Sequence, residues 1–107
     1  MIFHLAVADE WQGADRYRPT SLTEEGFIHC STASQLIDVA NALYAGRSDL
    51  ILLTIDPDLL DAPVVYEDCY ETGMRYPHIY GTIKPDAVVD QRPLRPGPDG
   101  RFAWSAP

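Results

Sequence analysis

The stretch from Thr32 to Pro57 constrains the fold more than any other part of the chain. Thr32 and Gln35 stand in the T-x-x-Q spacing of a capping box, in which hydroxyl and carboxamide each satisfy an orphaned backbone N–H. Leu36, Val39, Ala40, Leu43 and Tyr44 then recur at helical spacing, and Gly46 offers a left-handed stop. Together they predict a helix over 33–45. Immediately afterwards "DLILLTID" is almost continuously apolar up to Pro57, the pattern of a strand buried on both faces. Such a strand directly after a single strong helix asks for an α+β arrangement, with the helix packed on one side of a sheet.

The remaining segments are shorter. Residues 2–7 read as a buried strand ending at the charged Asp9 and Glu10. "ADEWQGADRY" suits a short helix with Asp9 as N-cap and Trp11 as anchor, weakened by Gly13. "RPTSLTEEG" is a loop with one turn of helix at 22–25, and 27–30 is apolar enough for a strand. "PDLLDAP" is a turn, "VVYED" a short strand, and "CYETGMRYP" a loop containing Gly73. Residues 78–83 and 87–94 predict two strands, antiparallel to each other around the Lys84-Pro85-Asp86 turn. The total is one main helix, one or two short ones and about six strands in a single domain. Its compact core is 1–94, and a Pro/Gly-rich tail over 95–107 docks through Phe102 and Trp104.

Charge and length exclude several classes of function. A net charge of −8 repels phosphate backbones, so extended binding to DNA or RNA is not expected. No apolar run approaches the roughly 20 residues that span a bilayer. The start "MIFHLAVADEW" lacks the basic region of a signal peptide, which makes the cytoplasm the expected location. Cys30 and Cys69 form no C-x-x-C pair and suit reduced thiols.

Chemistry concentrates on histidines and one carboxylate. All three histidines, His4, His29 and His78, fall in strand-like runs. Alternation along 27–31 puts Phe27, His29 and Ser31 on one face and Ile28 and Cys30 on the other. Cys30 is thereby turned from His29 into the core, against a Cys–His nucleophile pair. His4 shares a face with Ile2 and Ala6, and His78 with Tyr80 and Thr82. Each ring is either a half-buried histidine with a backbone partner or one of several aimed at a common cleft. Among the acidic residues after "VVY", Glu67 is held by its strand, where a carboxylate can grip a ribose hydroxyl or stabilise a cation. Asp68 and Glu71 suit a solvated strand end. Three imidazoles also suggest a three-histidine metal-dependent hydrolase, but no H-x-H or H-x-x-x-H pair supports it and no metal is expected.

The motifs "IFHL", "GFIHCS", "LLTID" and "YPHIYG", taken together, resemble the domain of unknown function 952 family over roughly residues 2–89. Their order also resembles the NAD-binding lobe of the ADP-ribosyltransferase superfamily, notably its RNA 2′-phosphotransferase branch. There a histidine on the first strand is followed by an "HIH"-like strand, a helix and an "L-x-ID"-like strand. The resemblance implies a split β-sheet, NAD as cofactor, and transfer of ADP-ribose to a small-molecule or protein acceptor. It matches His4 to the histidine that contacts NAD, and His29 or Ser31 to the second-strand position. It makes Glu67 the acidic residue that orients the ribose hydroxyl and favours oxocarbenium character as nicotinamide leaves. His29 and Glu67 thus become candidate catalytic residues, and His4, Ser31, His78 and Tyr80 candidate cofactor contacts, the last two without an assigned role. Neither "IFHL" nor "GFIHCS" carries the arginine of the RNA branch, so RNA repair is not implied. The alternative is a non-catalytic domain that binds a small ligand or partner.

Overall fold

In the computed structural model, which describes residues 1–11, 15–68 and 71–103, the chain opens with strand β1 (Ile2–Val7). Two short helices, α1 (Ala8–Trp11) and α2 (Thr20–Glu25), lead to the two-residue strand β2 (Ile28–His29). The main helix α3 (Leu36–Leu43) and strand β3 (Leu50–Ile55) follow, then β4 (Val64–Glu67), β5 (Tyr76–Ile79) and β6 (Val88–Leu94). The architecture is α+β, with the strands in two antiparallel sheets of order β1-β3-β6 and β2-β5-β4.

Among the described residues, one pair bridges the sheets. Phe3 N–H donates to the Ser31 carbonyl at 2.9 Å, and Ser31 N–H returns to Phe3 at 2.8 Å. In the same antiparallel register Leu5 would next oppose His29, but the pairing stops. The His29 carbonyl is instead taken by the imidazole of His4, whose Nδ1 lies 2.6 Å away. The sheets therefore part just beyond Phe3 and Ser31.

Directly opposed residues share a face, so the bridge also fixes how the faces run on from sheet to sheet. On one side Phe3, Leu5, Leu50, Leu52 and Leu94 form a core with Leu36 and Ala40 of α3, closed by Phe102 from the tail. On the reverse side Ile2, Ala6, Leu53 and Ile55 pack with Ile28, Cys30 and Ile79 of the small sheet. β3 contributes to both cores, as its unbroken apolar run predicts.

Several boundaries differ from the sequence expectation for identifiable reasons. The main helix begins at Leu36 because only half of the capping box closes. The Gln35 carboxamide oxygen accepts Thr32 N–H at 3.0 Å, while the Thr32 hydroxyl pairs with that of Ser34. Gly46 is left-handed, with φ +83°, but its N–H goes to Gly100 in the tail rather than to a helix carbonyl. Asp9 lies inside α1 rather than capping it, and Trp11 anchors the turn through Nε1–H to Gln91 at 2.8 Å. The expected hairpin between the last two strands does not form: β5 lies between β2 and β4, and β6 pairs with β3. The 3-10 turn Pro85–Ala87 carries the chain from one sheet to the other, anchored by the fully buried Ala87. Gly13, Cys69 and Trp104 lie outside the described residues.

Candidate functional site

Among the described residues, the face that α3 covers on the large sheet continues onto the small one without a covering helix. His29 opposes His78, so the two rings share that face, and alternation along β5 adds Tyr76. α3 stops short of them, which leaves a cleft of about 500 Å³, within the range of small-ligand sites. One wall consists of His29, Ser31, Tyr76 and His78; the other is the flank of α3 with Val39, Leu43 and Tyr44. Phe3, His4 and Leu5 border it along β1. Leu43 is 69% exposed because it forms the rim rather than the core.

The three histidines do different work. His4 is buried, with Nδ1–H donating to the His29 carbonyl at 2.6 Å and Nε2 accepting the Tyr17 hydroxyl at 2.7 Å, the tautomer its partners require. Burial lowers its pKa to about 4, against the opposing pull of the bond to His29, so the ring is neutral at pH 7. The same burial pushes the Tyr17 hydroxyl up. His29 is half-buried and donates from Nε2 to Glu25, at the end of α2. Gly26 makes that approach possible: it ends α2 at φ +88°, where a side chain would be strained, and turns the chain into β2.

His78 is fully buried. Its Nδ1–H donates to Glu67 Oε1 at 2.8 Å, and the same oxygen accepts the Tyr80 hydroxyl. Phe27 stacks on the ring at 4.2 Å between centroids with planes 21° apart, and His29 meets it edge-on at 5.4 Å. Phe27 also touches His29 and Tyr80, so it is the hub of this aromatic face.

Of the residues singled out from sequence, His4, His29, Ser31 and His78 border the cleft. Glu67 and Tyr80 are not among its lining residues; they stand behind His78. Cys30 is 4% exposed and belongs to the reverse core, where burial pushes its thiol up, away from a nucleophile. Among the described residues no three His, Cys, Asp or Glu side chains are grouped to hold a metal. Sequence reasoning missed Glu25, Asp38 and Tyr76 at the cleft. Tyr76 was findable, since it alternates with His78, whereas Glu25 required knowing that α2 turns directly into β2. The two carboxylates, with no Lys or Arg among the described lining residues, make the cleft electronegative.

A family model described as "Protein of unknown function (DUF952)" matches residues 2–91. The chain belongs to that family. Among solved structures it is similar to the crystal structure of protein CC0527 from Caulobacter crescentus, at 25% identity and a TM-score of 0.84, covering 95% of this chain and 92% of that one. The solution NMR structure of the same Caulobacter protein matches at 26% identity and a TM-score of 0.80, covering 94% and 90%. No curated protein matches the chain.

Proposed function

We propose that the cleft binds the nicotinamide–ribose end of NAD or a related nucleotide, and that the chain is an ADP-ribosyltransferase-like protein acting on a small-molecule or protein acceptor. The observation that carries this reading is the fork between the sheets. Among the described residues, two antiparallel sheets bridged at Phe3 and Ser31 are compatible with the split sheet of such a fold, with His4 and His29 at the split. The cleft volume suits part of a dinucleotide, and Tyr44 and Tyr76 offer apolar surface for a planar ring.

Electrostatics select which end of NAD enters. Pyrophosphate is disfavoured beside Glu25 and Asp38, whereas the positively charged nicotinamide ring is favoured there. When the glycosidic C–N bond breaks, its electron pair leaves with nicotinamide and the ribose carbon takes up positive charge. Nearby carboxylates stabilise that charge more than they stabilise the bound ground state. Within this reading His29 acts on the ligand directly, Glu67 acts through the His78 ring that it holds, and His4, Ser31, His78 and Tyr80 shape the ligand site.

The same negative cleft favours a second reading, a non-catalytic domain for a small cationic ligand. A thermal-shift panel of NAD, ADP-ribose and nicotinamide, followed by assay of nicotinamide release, separates the two. A ligand at 100 times its Kd should stabilise the fold by roughly 2.7 kcal/mol. His29→Ala should abolish the shift while melting close to the parent. Absence of any shift at millimolar ligand contradicts the nucleotide reading; a shift without nicotinamide release favours the non-catalytic one.

A further inference from the structure

We infer that the Ser31 hydroxyl is the polar anchor in the sheet wall of the cleft, and that through it the cleft takes a planar cationic ring bearing an uncharged amide and refuses the same ring bearing a carboxylic acid. This rests on the cleft reading above and deepens it, by naming the group that reads the ring substituent and the form of the nucleotide that it admits.

The direction of the side chain follows from the register. Phe3 and Ser31 oppose one another across the bridge between the sheets, so their side chains leave on the same face. Phe3 belongs to the core that α3 closes, which makes that face the one on which helix and cleft lie. A serine has a single heavy atom beyond Cβ, so every rotamer keeps its oxygen on that side. Ser31 accordingly lines the cleft, with His29 two residues back on the same face.

The chemistry follows from how its polar groups are used. Ser31 is 4% exposed, and both its backbone groups are taken by Phe3. Its hydroxyl has no hydrogen-bond partner among the described residues, nor do they fully enclose it. Thr32 and Ser34, next along the chain, pair their hydroxyls with each other. A buried hydroxyl costs free energy until it is paired, so that of Ser31 takes its partner from the cleft.

The surroundings narrow what that partner is. Glu25 and Asp38 line the same cleft from α2 and α3, where they favour a cationic ring and repel an anionic substituent. A hydroxyl can donate to an amide oxygen or accept from an amide N–H, but one such bond does not replace the hydration of a carboxylate brought into an apolar cleft. Tyr44 and Tyr76 supply aromatic surface for the ring. The ligand that fits is a pyridinium carrying a carboxamide, and the deamidated form of the same nucleotide is excluded.

Three ligands that differ at a single ring position test this: the N-methylpyridinium cation, its meta-carboxamide and its meta-carboxylate. Each is titrated into ¹⁵N-labelled parent and S31A, with NAD as a fourth ligand. A methyl group cannot leave as ribose does, so the three rings report binding alone. The parent should bind the carboxamide about tenfold more tightly than the unsubstituted ring, as one buried hydrogen bond allows, and the carboxylate most weakly. In S31A the carboxamide and the unsubstituted ring should come within about threefold of each other, with the carboxylate still weakest. S31A should melt no lower than the parent, because it loses no hydrogen bond within the protein. Retention of the tenfold preference in S31A overturns the role of Ser31, and so does a variant that melts well below the parent. A parent that binds the carboxylate as well as the carboxamide overturns the selectivity. If the parent binds NAD but none of the rings, the inference falls and the nucleotide reading stands; if it binds none of the four, both fall.

Discussion

His4 shows how a residue at a site can serve by holding the backbone rather than by reacting. Its imidazole stands in for the strand that would have paired with His29, bonding the carbonyl there and the hydroxyl of Tyr17. Because both nitrogens are used only by the neutral ring, protonation must break one bond, and burial opposes it further. The folded pKa of about 4 lies below the usual 6.5. Below pH 6.5 the unfolded chain therefore takes up a proton that the folded chain refuses, and stability falls until the pH reaches about 4. Between pH 8 and pH 5 the loss attributable to His4 should be about 2 kcal/mol. Urea denaturation of the parent and of His4→Gln at both pH values measures it, as a steeper pH dependence in the parent. Equal pH dependence in the two proteins would mean that the ring is not held neutral. His29 and His78, by contrast, each give one nitrogen to a carboxylate and border the cleft.

At the scale of elements, α3 and the fork at Phe3 and Ser31 create the cleft between them, and Gln35 ties them together. Its carboxamide oxygen accepts Thr32 N–H at 3.0 Å, and its nitrogen donates to the Arg75 carbonyl at 2.7 Å, next to β5. Gln35→Ala should cost about 1 kcal/mol through the two part-buried hydrogen bonds that it removes. It should also weaken ligand binding, since α3 and β5 are the two walls of the cleft; denaturation and ligand titration on one variant check both. The elements that could be read from sequence were those with a strong internal pattern. β1 matched its expected bounds, β3 its burial on both faces, and Cys30 its turn into the core. Strand partnership could not be read, because apolar alternation in 78–83 and 87–94 records burial but not which neighbour causes it. That is why a hairpin was expected where a 3-10 turn carries the chain between sheets. The site was half legible for the same reason. Alternation put His29 and Ser31 on one face, while the approach of Glu25 and the position of Glu67 behind His78 depend on tertiary register.

Across the whole molecule, one continuous face explains the site. α3 and the tail cover its large-sheet half, and the small-sheet half keeps an aromatic and imidazole surface beside the helix flank. The chain carries a net charge of −8, and its cleft adds Glu25 and Asp38 without a described basic residue, so molecule and site both oppose polyanions. Among the described residues no helix is long and apolar enough to cross a membrane. The central claim is that this cleft, and no other surface, receives a nucleotide by its nicotinamide–ribose end. Titration of the ¹⁵N-labelled protein with NAD, followed through amide shifts, tests it most directly. The predicted result is saturable change confined to His29, Ser31, Val39, Tyr44, Tyr76 and His78, with the reverse core around Tyr17 and Ile83 unmoved. Amides that stay still at millimolar NAD, or that move chiefly outside the cleft, would contradict it.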